Sequence, residues 1–299
     1  MTVSAVIPHR NSGSLLEQCV DALTVARGVD EIVVADEGST DGSAARVEER
    51  PGVRVVQSTR RGFAAAMNVG IDAALGDQLL LLNSDAFVRP DTVERLQRRL
   101  DENPRLALCG AALIDADGRR SKTHTYLFTW WRAMVDTANI RPSLSQEGTG
   151  LTRAQAVLPT CALARREALA EIGGFDERFT FYYEDLDVSL RLAKAGWEQA
   201  IDWEAEAVHL AGGSTSQAEP QRWFTQFHRS RLVYMQKHYP RGWLVYAVFW
   251  AVKAAVHVAG WSIRALLRSA RGDNVGAAVA RAWASAFWAS IWPPAGTNP

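Results

Sequence analysis

The chain has 299 residues, 47% of them hydrophobic and 22% charged, and its 33 Lys and Arg residues balance 33 Asp and Glu residues. This apolar content excludes an intrinsically disordered chain, and the zero net charge argues against a nucleic-acid partner. Three widely spaced cysteines match neither a disulfide framework nor a zinc site, and the N-terminus lacks the pattern of a signal peptide. We therefore expect a cytoplasmic protein.

Charge and tryptophan are unevenly distributed along the chain. Residues 241–299 carry six basic residues, one acid and six of the eleven tryptophans, so this tail has a formal charge of +5. Residues 1–240 carry the compensating charge of −5. The sequence therefore divides into an acidic body and a basic, Trp-rich tail.

The first 115 residues alternate strand-like and helix-like patterns. The predicted strands cover residues 3–7, 31–35, 53–57, 78–82 and 106–113, and the predicted helices cover residues 15–26, 43–49, 63–75 and 92–102. This alternation predicts an α/β fold with a parallel, doubly wound sheet. Ligands of such sheets bind beyond the carboxyl ends of the strands.

Two acids stand at this expected edge of the sheet. Asp85, in Asn83-Ser84-Asp85, follows the apolar strand 78–82, where a carboxylate can hold a divalent cation that bridges phosphate oxygens. Asp36 follows the strand 31–35, where a carboxylate can accept a hydrogen bond from a pyrimidine N–H. The alternative interpretation makes both acids turn or helix-cap residues.

The second half of the body is less regular. Residues 117–155 predict a variable loop region over the site, followed by a strand over 157–164 and helices over 166–172 and 184–195. His209 comes after a further apolar stretch. Its neutral imidazole either completes the coordination of a cation or has a structural role.

Glu184 and Asp185 stand beside an aromatic run at the start of the last predicted helix. Adjacent carboxylates raise one another's pKa, which suits one of them to act as a general base. The alternative is a structural role, because acids in a first turn are favoured by the helix dipole.

Seven segments in this order resemble glycosyltransferase family 2, the inverting enzymes of GT-A fold, and its rhamnosyltransferase-like branch. They begin with Ala5-Val6-Ile7-Pro8 and continue with 33–43, 62–68, 81–85, 173–179, 183–187 with Arg191 and 195–197, and His209 with Gly213 and Ser214. The resemblance implies a Rossmann-like, mostly parallel sheet flanked by helices, with a C-terminal helical appendage at 241–299. It also implies one domain over 1–240, with a nucleotide-binding half at 1–115 and an acceptor and catalytic half at 116–240.

The resemblance implies a role for each matching residue. Asp185 is the expected catalytic base, with Glu184 beside it, and Asp85 and His209 are the expected ligands of Mg²⁺ or Mn²⁺. The residues implied to bind the nucleotide-sugar donor are Pro8, Asp36, Arg61, Asn68, Asn83, Ser84 and Asp85. The implied reaction is one displacement at the anomeric carbon, which inverts its configuration as the nucleoside diphosphate leaves.

Two departures from the family pattern concern the metal and the acceptor. Asn83 occupies the first acid position of the DxD-like motif, so fewer anionic ligands hold the cation. Residues 158–162 replace the Asp-Trp and small-residue loop of many relatives, so the acceptor preference of the family does not transfer.

The tail predicts two amphipathic helices. The positions of Lys253, His257, Arg264, Arg268 and Arg271 share one helical face, opposite an apolar face. No window reaches the ~18 apolar residues of a spanning helix, so we expect a helix that lies in the interface of the inner membrane surface. The alternative is packing of the tail on the body or on a second subunit, which would make a homo-oligomer.

The leading hypothesis is a peripheral membrane glycosyltransferase of cell-surface polysaccharide synthesis. It would move a sugar, with L-rhamnose from dTDP-rhamnose preferred, to a hydroxyl of a glycan or lipid-linked acceptor. One alternative is a UDP or GDP sugar as donor. Another is a non-catalytic sugar-nucleotide-binding or scaffold protein, which Asn83 and the missing Asp-Trp favour.

Overall fold

The computed structural model describes residues 1–60, 62–137, 146–210 and 220–291, with the side chains of these ranges except 135–137. The chain divides into two compact units. The first, here called the sheet unit, comprises Met1–Leu127, Ser143–Thr180 and Glu184–Ser216. The second, here called the helical unit, comprises Phe128–Pro142, Phe181–Tyr183 and Gln217–Pro299.

The described elements of the sheet unit are strands and shorter helices. The strands are β1 (Val3–His9), β2 (Glu31–Asp36), β3 (Val53–Gln57), β4 (Gln78–Leu82), β5 (Ala86–Val88), β6 (Leu106–Ile114), β7 (His124–Thr125), β8 (Leu151–Arg153), β9 (Ala156–Val157), β10 (Cys161–Arg165) and β11 (Glu198–His209). The helices are α1 (Ser14–Thr24), α2 (Ser43–Glu48), α3 (Phe63–Ala73) and α4 (Thr92–Glu102) before residue 128, and α6 (Arg166–Glu171) and α7 (Glu184–Lys194) after it. The helical unit contains α5 (Trp130–Thr137), α8 (Pro220–His238), α9 (Trp243–Ala270) and α10 (Asn274–Ala289).

The central sheet has nine described strands in the order β3-β2-β1-β4-β10-β6-β11-β5, with β8 paired to β11. Strands β1 to β4 pair in parallel, as do β6 and β11. Strand β10 inserts antiparallel between β4 and β6, so those two strands run in the same direction. The predicted α/β fold, with a sheet flanked by helices and further helices at the C-terminal end, is confirmed.

The burial of β4 on both faces explains why this strand is predictable from the sequence. Leu80 and Leu82 belong to the core cluster that includes residues of α1 and α4, whereas Leu79 and Leu81 belong to the cluster that includes residues of α3. A strand buried on both faces has a continuous apolar sequence. The four leucines are fully buried, which fixes the end of the strand next to Asn83.

The short strand β5 was not predicted, and the larger differences from the predicted elements lie after residue 115. The single strand over 157–164 was wrong, because β9 ends at Val157 and β10 begins only at Cys161, where pairing with Leu82 starts. The region predicted to be irregular contains α5. The twelve-residue strand β11 was not predicted, although it pairs with β6 along most of the length of β6.

The helical unit is held together by aromatic packing. The ring of Tyr183 lies 5.3 Å from that of Phe227 and 5.4 Å from that of Tyr234. His228 stacks on Trp250 with ring centroids 3.8 Å apart. Aromatic side chains bury large apolar areas, so these contacts hold Tyr183 and α9 against α8.

Helix α9 corrects one expectation for the tail. It runs for 28 residues and is long and apolar enough to cross a membrane by length and composition. The expectation that no such window exists was wrong, because the Val and Ala residues around Lys253 outweigh that single charge.

Candidate active site

The carboxyl ends of β1, β2 and β4 lie side by side. β1 and β2 pair in register as far as His9 opposite Asp36, with Pro8 opposite Ala35, and β4 pairs with the other side of β1. A polar loop follows each of these strands. The structure thereby brings the predicted residues of three strands to one edge of the sheet.

Asp36 is fixed in position by its own loop. Its side chain is buried, and its carboxylate accepts hydrogen bonds from the backbone N–H of Ser39 at 3.1 Å and from Ser39 Oγ at 2.5 Å. The backbone N–H of Ser58 donates to the Asp36 carbonyl oxygen at 2.8 Å. Both the turn role and a ligand-facing carboxylate are compatible with this arrangement, since a carboxylate oxygen can accept more than one hydrogen bond.

Asp85 and His209 are brought together because β5 pairs with β11, with Ala86 opposite His209. His209 Nε2 lies 3.4 Å from Asp85 Oδ1. The side-chain oxygen of Asn83 is buried and accepts no hydrogen bond within the described part of the chain. Carboxylate, amide oxygen and imidazole nitrogen all suit Mn²⁺, and the two oxygens suit Mg²⁺.

This donor set is incomplete without a ligand. The described residues contain no group of three or more His, Cys, Asp or Glu side chains that could hold a metal ion. Mg²⁺ and Mn²⁺ bound beside nucleotides usually take further oxygen ligands from phosphate and water. The residues at the end of β4 therefore fit a cation that arrives with a diphosphate.

Asn68, predicted in the donor site, is engaged with another segment of the sheet unit. Its Nδ2 donates to the carbonyl oxygen of Phe175 at 2.8 Å and to Glu177 Oε1 at 3.0 Å, and its Oδ1 accepts from the Phe175 N–H at 2.8 Å. Both ends of the amide therefore anchor residues 175–177 to α3. Arg61, also predicted there, lies outside the described residues.

Gly62 links the strand edge to the chain leading to Glu184. Its N–H donates to Glu37 Oε2 at 2.8 Å, and the N–H of Phe63 donates to the Thr180 carbonyl oxygen at 2.9 Å. Gly62 has φ +109°, and a Cβ here would lie 2.8 Å from the Thr180 backbone, so the position requires glycine. This edge of the sheet thus holds the chain four residues before Glu184.

Glu184 and Asp185 open α7 after a strained stretch of backbone. Tyr182 and Tyr183 have φ values of 69° and 71°, which are uncommon for residues other than glycine and persist where packing holds them. Glu184 is buried and Asp185 is half-buried, with Asp185 Oδ1 accepting the Leu186 N–H at 2.8 Å.

Asp187, the third acid of this cluster, has a structural role. Its fully buried carboxylate forms an ion pair with Arg191 at 2.6 Å, one helical turn along α7. Arg191 also donates to the carbonyl oxygen of Ile172 at 2.5 Å. This ion pair leaves Glu184 and Asp185 as the two acids available for chemistry.

The two carboxyl groups have different surroundings, which act differently on their pKa values. Burial raises the pKa of Glu184 well above its usual range, and the charge of Asp185 raises it further. Burial also raises the pKa of Asp185, but the Leu186 N–H and the charge of Lys122 oppose the rise. These interactions favour the charged form of Asp185 over the charged form of Glu184. Nothing in the sequence marked Lys122, which lies in the segment predicted to be a loop.

Comparison with known proteins identifies the family. The sequence profile of glycosyl transferase family 2 matches residues 4–173, more than half of the chain. The chain belongs to glycosyltransferase family 2. The glycosyltransferase is also 28% identical over 291 residues to the N-acetylglucosaminyl-diphospho-decaprenol L-rhamnosyltransferase of Mycobacterium tuberculosis, a match covering 87% of this chain and 92% of that protein. The predicted resemblance to a rhamnosyltransferase-like member is confirmed.

Solved structures share the fold of this glycosyltransferase. GalNAc-T7 with UDP, GalNAc and Mn²⁺ has a TM-score of 0.59 at 17% identity, covering 79% of this chain and 48% of that one. The mannosyltransferase of Pyrobaculum calidifontis in complex with GDP-Man and Mn²⁺ has a TM-score of 0.58 at 18% identity, covering 96% and 85%. At these identities the likeness shows a common fold.

Glu184→Gln is expected to make the glycosyltransferase more stable at pH 8, with the gain shrinking towards pH 5. The pKa of Glu184 is higher in the folded state than in the unfolded state. The native chain therefore loses stability as the pH rises from the unfolded-state pKa to the folded-state pKa, by at most about 1.4 kcal/mol per pH unit. Thermal unfolding of both proteins between pH 5 and 9 measures the difference. Glu48→Gln, at an exposed acid of α2, is the control. Parallel pH profiles for native and Glu184→Gln proteins would show that burial does not perturb this carboxyl.

Proposed function

We propose that this glycosyltransferase moves L-rhamnose from dTDP-L-rhamnose to a hydroxyl of an N-acetylglucosaminyl diphosphate lipid in cell-surface polysaccharide synthesis. The observation that carries the proposal is the match to the mycobacterial rhamnosyltransferase, which spans 87% of this chain and 92% of the relative. A match of this extent goes well beyond the nucleotide-binding half of the chain.

In this proposal Asp185 is the catalytic base. Its carboxylate removes the proton of the acceptor hydroxyl as the oxygen attacks the anomeric carbon, opposite the leaving nucleoside diphosphate, so the configuration inverts. Glu184 keeps its own proton because of its higher pKa, so the pair carries one negative charge rather than two. The hydrogen bond from the Leu186 N–H orients the reacting carboxylate.

The donor lies at the carboxyl edge of the sheet in this proposal. Asp36 accepts from the base, and Asn83, Ser84 and Asp85 face the diphosphate. Asp85 and His209, with the buried oxygen of Asn83, would hold Mg²⁺ or Mn²⁺. Such a cation stabilises the charge that develops on the leaving diphosphate.

A donor panel tests the proposal against its two alternatives. Thermal stability and nucleoside diphosphate release are measured with dTDP-L-rhamnose, UDP-GlcNAc and GDP-mannose, each with Mg²⁺, Mn²⁺ or chelator. We expect the largest stabilisation and the fastest acceptor-dependent release with dTDP-L-rhamnose. A larger response to UDP-GlcNAc or GDP-mannose would show that the donor is a UDP or GDP sugar. Binding without turnover of any donor would favour a non-catalytic sugar-nucleotide-binding protein.

The proposal also assigns the inner membrane surface as a partner of the helical unit. Helix α9 exposes large apolar side chains along its whole length, each between 41% and 72% accessible: Leu244, Val245, Val248, Phe249, Val252, Val256, Ile263, Leu266 and Leu267. Their spacing of three and four residues places them on one face. We call this face the apolar stripe.

The rest of α9 supports a helix lying in the membrane plane. Tyr246 and Trp250 are buried, and His257 stacks on Phe287 of α10 at 4.5 Å, so the side away from the apolar stripe packs within the helical unit. Arg264, beside Trp261 at 4.7 Å, adds a basic group next to the stripe. Apolar, aromatic and basic residues in this arrangement are typical of interfacial helices on anionic lipid.

Val252→Gln with Val256→Gln is expected to weaken binding to phosphatidylglycerol vesicles roughly tenfold, because two apolar side chains of the stripe lose their favourable transfer into lipid. Vesicle flotation of the full chain measures the bound fraction. The matched control is Val25→Gln with Leu75→Gln, which changes two exposed apolar residues of the sheet unit. Equal flotation of the two double variants would contradict the membrane role of the stripe.

A further inference from the structure

A chain of hydrogen bonds runs behind the donor edge of the sheet, with His9 at its centre. His9 Nδ1 lies 3.1 Å from Ser12 Oγ, and Ser12 Oγ lies 2.7 Å from Ser84 Oγ. On the other side of the ring, His9 Nε2 lies 2.7 Å from Ser43 Oγ, which donates to Asp41 Oδ1 at 2.5 Å. His9 and the three serines are buried, whereas Asp41 is exposed.

Counting protons fixes the direction of every bond in this chain. Ser43 gives its one proton to Asp41, so it must accept from His9, and Nε2 carries the proton of the ring. In a neutral imidazole Nδ1 is then an acceptor, so Ser12 donates to it. Ser12 has no second proton, so Ser84 donates to Ser12. All donors point towards Asp41.

The electrostatics support the two protonation states that this direction needs. Burial lowers the pKa of His9 below its usual range, and the charges of Asp36 and Asp41 offset only part of the effect. Burial opposes ionisation of Asp41, but hydrogen bonds from Ser43 and from the Gly13 N–H lower its pKa to about 2. At neutral pH the imidazole is neutral and the chain ends on a carboxylate.

This chain of hydrogen bonds joins three loops that follow three strands. Ser12 belongs to the loop after β1, Ser43 follows the loop after β2, and Ser84 lies between Asn83 and Asp85 after β4. The first two loops are also tied directly, since Thr40 N–H donates to Asn11 Oδ1 at 2.8 Å. The hydrogen bonds of His9 with Ser12 and of Ser12 with Ser84 link these two loops to the loop after β4.

We propose that His9 is a positioning residue for donor binding, which acts through Ser12 to hold Ser84 and its neighbours Asn83 and Asp85 in the geometry that receives the nucleoside diphosphate. This role rests on the proposed function. Because the Ser84 proton is directed to Ser12, the remaining capacity of that hydroxyl is to accept a hydrogen bond or to face a cation.

The direction of these hydrogen bonds is tested without any substrate. Nitrogen chemical shifts of ¹⁵N-histidine-labelled full-length protein at pH 7.5 report which ring nitrogen carries the proton, and the His9 signals are assigned by their loss in His9→Asn. The expected result is a neutral ring protonated at Nε2. A ring protonated at Nδ1, or at both nitrogens, would overturn the directed chain.

The positioning role is tested with two conservative variants that each keep one side of the ring. His9→Asn places an amide oxygen near the position of Nδ1 and retains the bond to Ser12, whereas His9→Gln places an amide nitrogen near Nε2 and retains the bond to Ser43. The Kd of dTDP with Mn²⁺ is expected to rise roughly tenfold in His9→Gln and less than twofold in His9→Asn, since one net hydrogen bond is lost. Ser12→Ala should reproduce the effect of His9→Gln.

Unfolding temperatures of the same variants separate positioning from general destabilisation. The role of His9 is supported if the affinity for dTDP depends on which hydrogen bond a variant retains and not on its unfolding temperature. Equal affinities in His9→Asn and His9→Gln, with native binding intact, overturn that role alone. If the native chain binds no nucleoside diphosphate, the proposed function fails and the positioning role fails with it.

Discussion

Replacing Asp185 by Asn is expected to lower kcat by roughly 10²- to 10⁴-fold, the range contributed by a positioned general base. The amide keeps the shape of the side chain and can still accept the Leu186 N–H, but it cannot take the proton of the acceptor hydroxyl. We expect the KM of the donor to change little, because Asp185 acts on the acceptor. Steady-state release of dTDP from dTDP-L-rhamnose with saturating acceptor measures both constants.

Asp72→Asn is the matched control for this substitution. It makes the same chemical change at an exposed position of α3 and should retain native kcat and KM. A kcat for Asp185→Asn within a factor of three of the native value would remove Asp185 from the base role. If Glu184→Gln alone then lost activity by the expected factor, the base would be Glu184.

Asp85→Asn is expected to raise the Mn²⁺ concentration for half-maximal activity by roughly 10- to 100-fold, the effect of removing one charge from a buried ionic contact. Asp85 is nearly inaccessible and lies 3.4 Å from His209, so the substitution takes the charge from the group best placed to hold the cation. With Asn83 already neutral, no second acid of the motif compensates. A metal titration of activity at fixed donor concentration makes the measurement.

His209→Gln distinguishes a metal ligand from a partner of Asp85. As a ligand, His209 should give a shift in the Mn²⁺ titration of the same kind as Asp85→Asn, with little change in the unfolding temperature of the metal-free chain. An unchanged metal requirement in both variants would contradict the assignment of the cation to the end of β4.

The position of these residues at the carboxyl edge of the sheet was predictable because it depends on local sequence. A continuous run of leucines specifies a strand buried on both faces, and the polar residue after it must then stand at the sheet edge. The same argument located Asp36, and the aromatic run followed by acids located Glu184 and Asp185. In each case a few consecutive residues contain the information.

What the sequence did not reveal depends on pairing over long separations. Strand β10 enters between β4 and β6 from some 80 residues away along the chain, and no local pattern states where it inserts. The contact of His9 with Ser43 and that of Ser12 with Ser84 likewise arise only once three strands are aligned. For the same reason, the motif around Asn68 did not reveal the hydrogen bonds of its amide to residues more than 100 positions away.

The central claim is tested most directly by incubating the native chain with dTDP-L-rhamnose, Mn²⁺ and a polyprenyl diphosphate N-acetylglucosamine, and determining dTDP release and the anomeric configuration of the product. We predict dTDP release that depends on the acceptor, is lost in Asp185→Asn and is retained in Asp72→Asn, with a rhamnosylated lipid of inverted configuration. Release at the same rate without acceptor, or a product of retained configuration, would contradict a single displacement assisted by Asp185.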